Sequence, residues 1–196
     1  MAGITGIGSG LNINEIVTAL VNAEKARVRG VEFEATAPIT ENIILTGTFG
    51  WADAHYTSFP DGPCTAPAAK QGASCDLSGK EIGDAIPLNG NVSVITDWPV
   101  WNGKFNIFAA FDALYQGEQF NVIDLDPLDK REAYWAFALH TGVRDPDDMW
   151  VATFHIFNIF DRNILAGSAD LPLFPDSHFG GQGPARYYSV QARVKF

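Results

Sequence analysis

Histidine and carboxylate side chains are the residues of this sequence best suited to chemistry. The four histidines are His55, His140, His155 and His178, and each stands alone in its local sequence. Histidine serves as a general base, a metal ligand or an ordinary polar residue, and an isolated one favours the last role. No serine–histidine–aspartate set and no pair of catalytic carboxylates stands out, so we expect no catalytic residue, no cofactor and no enzymatic activity.

Two acidic segments offer oxygen ligands for a hard cation. They are residues 124–129, with the sequence DLDPLD, and residues 145–148, with the sequence DPDD. Calcium prefers several oxygen ligands, but neither segment has the spacing of an EF-hand loop. Solvated loop acids are therefore the favoured interpretation, and we predict no metal site. The glycine-rich GIGSG near the start does not follow a strand and lacks the Lys-Ser/Thr of a phosphate-binding loop.

Two cysteines, Cys64 and Cys75, lie in a segment rich in Pro, Gly, Ala and Ser, which is typical of a loop. They are either free thiols or a disulfide formed in an oxidising compartment. We favour the disulfide, because the sequence near the two cysteines offers no further residue that could bind a metal ion together with them. It would stabilise the fold by about 2–3 kcal/mol.

Composition limits the class of protein. The chain has 196 residues and a net charge of −10, which disfavours a nucleic-acid partner because phosphate binding needs clustered Lys and Arg. It contains no apolar run of about 18 residues, so it has no transmembrane helix. The 14 Phe, 5 Trp, 5 Tyr and 19 Gly fit either a membrane β-barrel or a soluble β-sandwich.

The elements that would position these residues change character along the chain. Residues 14–25 have helical spacing of apolar side chains, with Asn14 as the N-cap and Glu15 in the first turn, which predicts an amphipathic helix. The segment has no basic start and no continuous apolar core, so it is not a signal peptide.

From residue 28 onward the apolar period is two residues, which predicts about seven strands. The last strand shows the pattern most clearly. Every second residue is apolar, and the residues between them are mostly polar. The apolar set is Tyr188, Val190, Ala192, Val194 and Phe196.

The connections between these strands alternate in length. Short turns are predicted at residues 38–42, 99–103 and 145–148, and long loops at 56–88, 117–131 and 161–185. Antiparallel strands with short turns at one end and long loops at the other are typical of an outer-membrane β-barrel. The sequence therefore predicts an all-β fold, namely an antiparallel transmembrane β-barrel portion that is incomplete.

The segments GVEFEA, FNIFDRN and YSVQARVKF follow one another in this order along residues 27–196. Together they resemble the C-terminal barrel of TonB-dependent outer-membrane receptors. GVEFEA is similar to a recurrent strand of that family, and FNIFDRN is similar to its N-L-F-D-x-x-Y segment, although Ile159 replaces the usual Leu and Ile164 or Leu165 stands where an aromatic is common. YSVQARVKF resembles the family's terminal strand. The resemblance implies that Tyr188, Val190, Ala192, Val194 and Phe196 form the signal read by the outer-membrane barrel-assembly machinery.

The resemblance also implies a function and a location. Such receptors lie in the outer membrane of bacteria, in contact with its lipid, and import a scarce nutrient such as an iron chelate, cobalamin or an oligosaccharide. Their barrels have 22 strands, and an N-terminal plug couples them to an energy-transducing periplasmic partner. About seven strands and no plug predict a receptor fragment that is not competent for transport alone. The sequence leaves the ligand-binding residues unknown, and the absent signal peptide conflicts with an outer-membrane location.

Residues 1–26 contain the stretch GITGIGSGLNINEIVTALVNAEKA. This stretch is similar to a different family, at the N-terminus of flagellar hook-associated protein 2, which caps the filament. The matching residues are Gly8, Ser9, Gly10, Leu11, Val17, Leu20, Val21, Ala23 and Glu24. The sequence thus predicts two segments, 1–26 and 27–196, joined as an engineered fusion, a natural gene fusion or a mis-assembled reading frame. Alternative functions are a structural protein of the flagellar cap and a small stand-alone β-barrel or soluble β-sandwich that binds an apolar ligand.

Overall fold

The protein forms one large antiparallel sheet. The structure is a computed structural model, and it describes residues 25–65, 73–171 and 177–196. The strand order in the sheet is β1-β2-β3-β4-β7-β8-β11, so each long strand pairs with the next one along the chain. The seven strands are β1 (Lys25–Thr40), β2 (Ile43–Ser58), β3 (Leu88–Val100), β4 (Phe105–Gln116), β7 (Tyr134–Arg144), β8 (Trp150–Phe157) and β11 (Tyr187–Val194).

The predicted fold class is confirmed, because the described chain is all-β with an antiparallel sheet of seven strands. The sheet is open, since β1 and β11 each pair along one edge only. The described strands therefore form neither a closed small barrel nor a two-sheet sandwich. No helix in the described part of the chain is long and apolar enough to cross a membrane.

The N-terminal predictions fall mostly outside the described residues. The predicted helix over residues 14–25 and the cap-like segment 1–26 reach the described chain only at Lys25 and Ala26. Both of these residues already belong to β1, so the first strand begins earlier than the sequence predicts.

The register places apolar side chains on one face of the sheet across all seven strands. Leu45 of β2 pairs with Val94 of β3, and Val94 pairs with Phe111 of β4. Because successive side chains of a strand point to opposite faces, residues paired in this way share one face. We call it the apolar face. It carries Val31, Phe33, Leu45, Phe49, Trp51, Val92, Val94, Phe111, Phe137, Leu139, Phe154, Ile156, Val190 and Val194.

The terminal strand keeps this register. Val190 pairs with Phe154 and Tyr188 pairs with Ile156, so the apolar parity of β11 lies on the apolar face as the alternation predicts. Every described residue of β11 is exposed in this chain. Val190 retains 78% of its surface, which means that nothing in the described structure covers its side chain.

The opposite face, which we call the polar face, carries most of the charged and amide side chains of the sheet. Glu34 pairs with Thr48, Thr48 pairs with Asn91, and Asn91 pairs with Leu114. The apolar residues on this face are mainly alanines and scattered larger side chains. The two faces of the sheet thus suit two different environments.

The predicted short turns are present. β1 and β2 are joined through residues 41–42, and β3 and β4 through residues 101–104. In the second turn Gly103 has a φ of 79° and its N–H donates to the Val100 carbonyl at 3.1 Å. The predicted Asn-Gly turn is therefore confirmed, since a positive φ favours glycine.

The long connections contain short hairpins that the sequence pattern does not reveal. β5 (Gln119–Phe120) pairs with β6 (Lys130–Arg131), and a single 3-10 turn (Pro127–Asp129) lies between them. In the next long connection, β9 (Leu165–Asp170) pairs with β10 (His178–Gln182). These pairs are separate two-stranded sheets beside the large one.

We predict that Gly142→Ala destabilises the sheet by about 1–3 kcal/mol, the usual range for overpacking. A Cβ at this position would collide with the Ala152 carbonyl oxygen and lie 2.7 Å from Cζ of Phe108. The measurement is urea unfolding of the full chain in detergent micelles, followed by tryptophan fluorescence. The matched control is Gly47→Ala, where the nearest atom is the Asn91 carbonyl oxygen at 3.8 Å. Equal midpoints for the two variants would contradict the packing at Gly142.

Candidate functional site

The three long connections lie at the same end of the sheet and pack against one another. We call their described parts, residues 59–65, 73–87, 117–133, 158–171 and 177–186, the loop layer. The Asp84 N–H donates to the Phe120 carbonyl at 2.7 Å and links the first connection to the second. The Asn121 side-chain amide donates to the Ser168 hydroxyl at 3.2 Å and links the second to the third.

A small hydrophobic core holds the first connection in place. It consists of Ala54, Tyr56, Phe59, Leu77 and Ile82, all of them buried. The Tyr56 and Phe59 rings lie 4.9 Å apart between centroids. Burial of side chains of this size contributes about 1.5–3 kcal/mol each. Ile123 and Leu125 of the second connection pack against the same core, so it also fixes the neighbouring acidic turn.

The predicted disulfide between Cys64 and Cys75 is present in the loop layer. Backbone hydrogen bonds between Gly62 and Cys75 flank it in both directions, at 2.9 and 2.8 Å. The disulfide therefore closes a segment that also carries its own backbone pairing.

The sequence predicts solvated acids over residues 124–129, and this prediction is wrong for Asp124, Asp126 and Asp129. Asp126 caps the 3-10 turn by accepting from the Leu128 N–H at 2.8 Å, and Pro127 occupies its first turn. The Asp126 N–H in turn donates to Asp124 at 3.3 Å. The exposed fractions are 7% for Asp124, 3% for Asp126 and 0% for Asp129. The packing of the long connections buries these acids, which local sequence cannot indicate.

The β9–β10 hairpin brings two further groups to this turn. His178 pairs directly with Asp170 in the hairpin register. Nδ1 of His178 lies 2.8 Å from Oδ2 of Asp129 and 3.0 Å from Oδ1 of Asp170. We call Asp124, Asp126, Asp129, Asp170 and His178 the acid–histidine cluster. For His178 the sequence favours an ordinary polar residue over a functional one, and it does not point to Asp170.

The charges of the acid–histidine cluster shift its titrations. The hydrogen bond to Asp129 raises the pKa of His178, and the negative charges of Asp129, Asp126 and Asp170 act in the same direction. Burial, with the nearby negative charges of Asp170 and Asp126, raises the pKa of Asp124 to about 6. The cluster thus disfavours further negative charge and favours a bound positive charge.

Two histidines, His140 and His155, meet on the polar face of the sheet. His140 and His155 are opposite each other on β7 and β8, and their Nδ1 atoms lie 2.6 Å apart. Nε2 of His140 lies 3.2 Å from Oδ2 of Asp112, and the Ser93 hydroxyl donates to the same carboxylate. Because the carboxylate lies between Ser93 and His140, the imidazole does not activate the serine as a nucleophile.

The remaining candidates have structural partners. Nδ1 of His55 lies 2.6 Å from Oδ1 of Asp53. In the DPDD turn, the Asp145 side chain accepts from the Asp147 N–H at 3.1 Å, and Asp148 pairs with Arg144 at 3.0 Å. The second acidic segment therefore stabilises its own turn.

An open groove of about 540 Å³ runs between the first and second connections. Phe120 provides an aromatic wall, and Lys80 and Lys130 provide positive charge. Lys130 pairs with Glu118 at 3.0 Å. A groove with one aromatic side chain and charges of both signs suits a polar, partly aromatic ligand.

Comparison with solved structures shows the fold. No protein-family model matches the chain, and no curated protein matches it in sequence. The ferric yersiniabactin uptake receptor FyuA from Yersinia pestis superposes with a TM-score of 0.70 and 13% identity, over 89% of this chain and 24% of that one. The siderophore receptor PiuA from Acinetobacter baumannii superposes with a TM-score of 0.61 and 14% identity, over 85% of this chain and 21% of that one.

A third structure, the ferric preacinetobactin receptor BauA from Acinetobacter baumannii, gives a TM-score of 0.59 at 15% identity, over 85% of this chain and 22% of that one. The chain thus shares the fold of a part of these three receptor structures. It spans about a quarter of the length of these solved structures.

We predict that the contact between His178 and Asp129 is stronger at pH 5.5 than at pH 8 in chelator-treated buffer. A histidine with a raised pKa in the folded state stabilises fully below its ordinary pKa of about 6.5 and loses that contribution as pH rises through the raised value. The raised pKa of Asp124 changes stability in the same direction. The folded state favours the protonated carboxyl, so its contribution to the free energy of unfolding is lost as pH rises through about 6.

The measurement is a double-mutant cycle with His178→Gln, Asp129→Asn and the double variant, using urea unfolding at both pH values. The cycle cancels the effect of each substitution on contacts other than the one between His178 and Asp129. A coupling energy that is equal at the two pH values, or larger at pH 8, would show that the imidazolium–carboxylate contact does not hold the hairpin.

Proposed function

We propose that the chain is part of the wall of an outer-membrane TonB-dependent receptor that imports a ferric chelate in its full-length form. The observation that carries this proposal is the apolar face, which runs unbroken through all seven strands of a sheet with two open edges. In a membrane barrel such a face contacts lipid and the opposite face lines the lumen. The open edges would pair with further strands, because unpaired backbone groups are unfavourable in lipid.

The preference for a ferric chelate over cobalamin or an oligosaccharide rests on the solved structures of similar fold. Those described above include a ferric yersiniabactin uptake receptor, a siderophore receptor and a ferric preacinetobactin receptor. Their identity to this chain is low, so the ligand class is our inference. The groove at Phe120, Lys80 and Lys130 is the place in the loop layer where we expect ligand contacts.

The proposal also assigns roles to the ends of the strands. The long connections would face the outside of the cell and the short turns the periplasm, as is usual for such barrels. The apolar parity of the last strand, Tyr188, Val190, Ala192, Val194 and Phe196, would present the signal that the barrel-assembly machinery recognises. The described sheet encloses no lumen by itself, so we expect no transport by this chain alone.

The alternative function in the flagellar cap has no support in the described residues. The residues that suggest it lie within 1–26, and the described chain from Lys25 onward is strand and loop.

We predict that Val94→Arg impairs insertion of the chain into lipid vesicles, at an energetic cost of about 2–4 kcal/mol for a cationic side chain near the bilayer midplane. Val94 lies on the apolar face between Leu45 and Phe111. The matched control is Thr48→Arg on the polar face, opposite Glu34. The measurement is the fraction of folded chain that floats with the vesicles. Equal insertion of the two variants would contradict a lipid-facing apolar face.

We predict that the reconstituted chain binds ferric siderophores more tightly than cobalamin or malto-oligosaccharides, as measured by quenching of tryptophan fluorescence. Phe120→Ala should weaken binding by about fivefold or more, which corresponds to at least 1 kcal/mol. Trp101→Ala, in a short turn at the other end of the sheet, is the control and should leave binding unchanged. Absent binding, or equal binding of the three ligand classes, would contradict the ferric-chelate assignment.

A further inference from the structure

The acid–histidine cluster has an unbalanced charge. Three carboxylates, those of Asp126, Asp129 and Asp170, lie within 4.0 Å of one imidazole, and Asp124 adjoins Asp126. Asp124, Asp126 and Asp129 are buried. Within residues 25–65, 73–171 and 177–196, no lysine or arginine forms an ion pair with any of the four aspartates. Buried charges in proteins are normally paired or coordinate a metal ion.

Several polar atoms of the cluster are buried without a hydrogen-bond partner. They include Oδ1 of Asp129 and Nε2 of His178. Asp129 is fully buried, so water does not satisfy its oxygen freely. Orphaned acceptors that converge in this way indicate a missing positive partner.

The distances fit a shared metal ion better than a hydrogen bond. One ligand atom from each of Asp126, Asp170 and His178 lies within 4.8 Å of the other two. Nε2 of His178 and Oδ2 of Asp126 are 4.0 Å apart, which is too long for a hydrogen bond. Three ligands that each bind one ion at about 2.0–2.2 Å lie about 3.3–3.8 Å from one another. A closure of about 1 Å would therefore complete the site.

The histidine is already oriented for metal binding. Nδ1 of His178 lies 2.8 Å from Asp129 and 3.0 Å from Asp170, so a neutral imidazole with its proton on Nδ1 would present the lone pair of Nε2 on the side of Asp126. A carboxylate behind a ligating imidazole is the usual arrangement in protein metal sites, because it fixes the tautomer and increases the basicity of the ligand. Asp129 is fully buried, which holds this orientation.

We propose that Asp126, Asp170 and His178 bind a divalent transition-metal ion of the Zn²⁺ type, with Asp129 positioning the imidazole. Nitrogen from imidazole with carboxylate oxygens suits Zn²⁺ and its first-row neighbours, whereas Ca²⁺ and Mg²⁺ prefer oxygen alone. Asp124 lies beside the site, where its carboxylate or a water molecule fills the fourth position. The bound ion ties the 124–129 turn to the β9–β10 hairpin. The inference does not rest on the receptor function proposed above.

The first test is titration of the full chain in detergent with Zn²⁺ alone, followed by calorimetry and by the thermal unfolding midpoint. We expect binding by the unmodified chain with a raised midpoint, and affinities lower by more than about tenfold for His178→Gln and Asp170→Asn. His55→Gln, which removes an imidazole that also lies beside an aspartate, is the matched control and should bind normally. The midpoints without metal show whether each variant is folded.

The second test uses Co²⁺, whose visible absorption reports its ligands. We expect an absorption band in the unmodified chain that is lost or shifted in His178→Gln. Asp129→Asn should keep the band but bind about 10–100-fold more weakly, as expected for a positioning residue. Absent Zn²⁺ binding, a Co²⁺ band unaffected by His178→Gln, or stabilisation by Ca²⁺ equal to that by Zn²⁺ would each overturn the proposal. None of these outcomes depends on vesicle insertion or siderophore binding.

Discussion

The structure depends on the continuous antiparallel register of its seven long strands. Each strand pairs with the next long strand along the chain, so side chains that start on one face at β1 stay on that face as far as β11. Since the side-chain period of a strand is two, a shift of one residue in any pair would move apolar side chains to the polar face. The two chemically different faces therefore exist only while every pair keeps its register.

The same topology explains why the buried residues lie at one end of the sheet. In an up-and-down arrangement alternate connections fall at the same end, and here the three long ones do so. The buried hydrophobic residues of the described chain, such as Tyr56, Phe59 and Ile82, belong to this end rather than to either face. The loop layer thus has a core of its own, and that core holds the acidic turn where the β9–β10 hairpin reaches it.

Much of the sheet could be predicted from the sequence, because alternation is a local property. The terminal strand is the clearest case, since its apolar parity pairs with Phe154 and Ile156 as alternation requires. The β9–β10 hairpin escapes sequence-based prediction because its strands are short and rich in Gly. The acid–histidine cluster was missed for a different reason. His178 and Asp129 are 49 residues apart, and only the packing of two connections joins them.

The contrast between the faces and the loop layer bears on what stabilises each part. Val31, Phe33 and Val190 retain 59%, 63% and 78% of their surface, so the apolar face gains little from burial within this chain. Apolar surface of this extent favours an apolar environment or a partner. The loop layer instead combines a hydrophobic core, a disulfide and polar contacts that join its three connections. Its geometry is therefore set by contacts internal to the chain, whereas the sheet depends on what surrounds it.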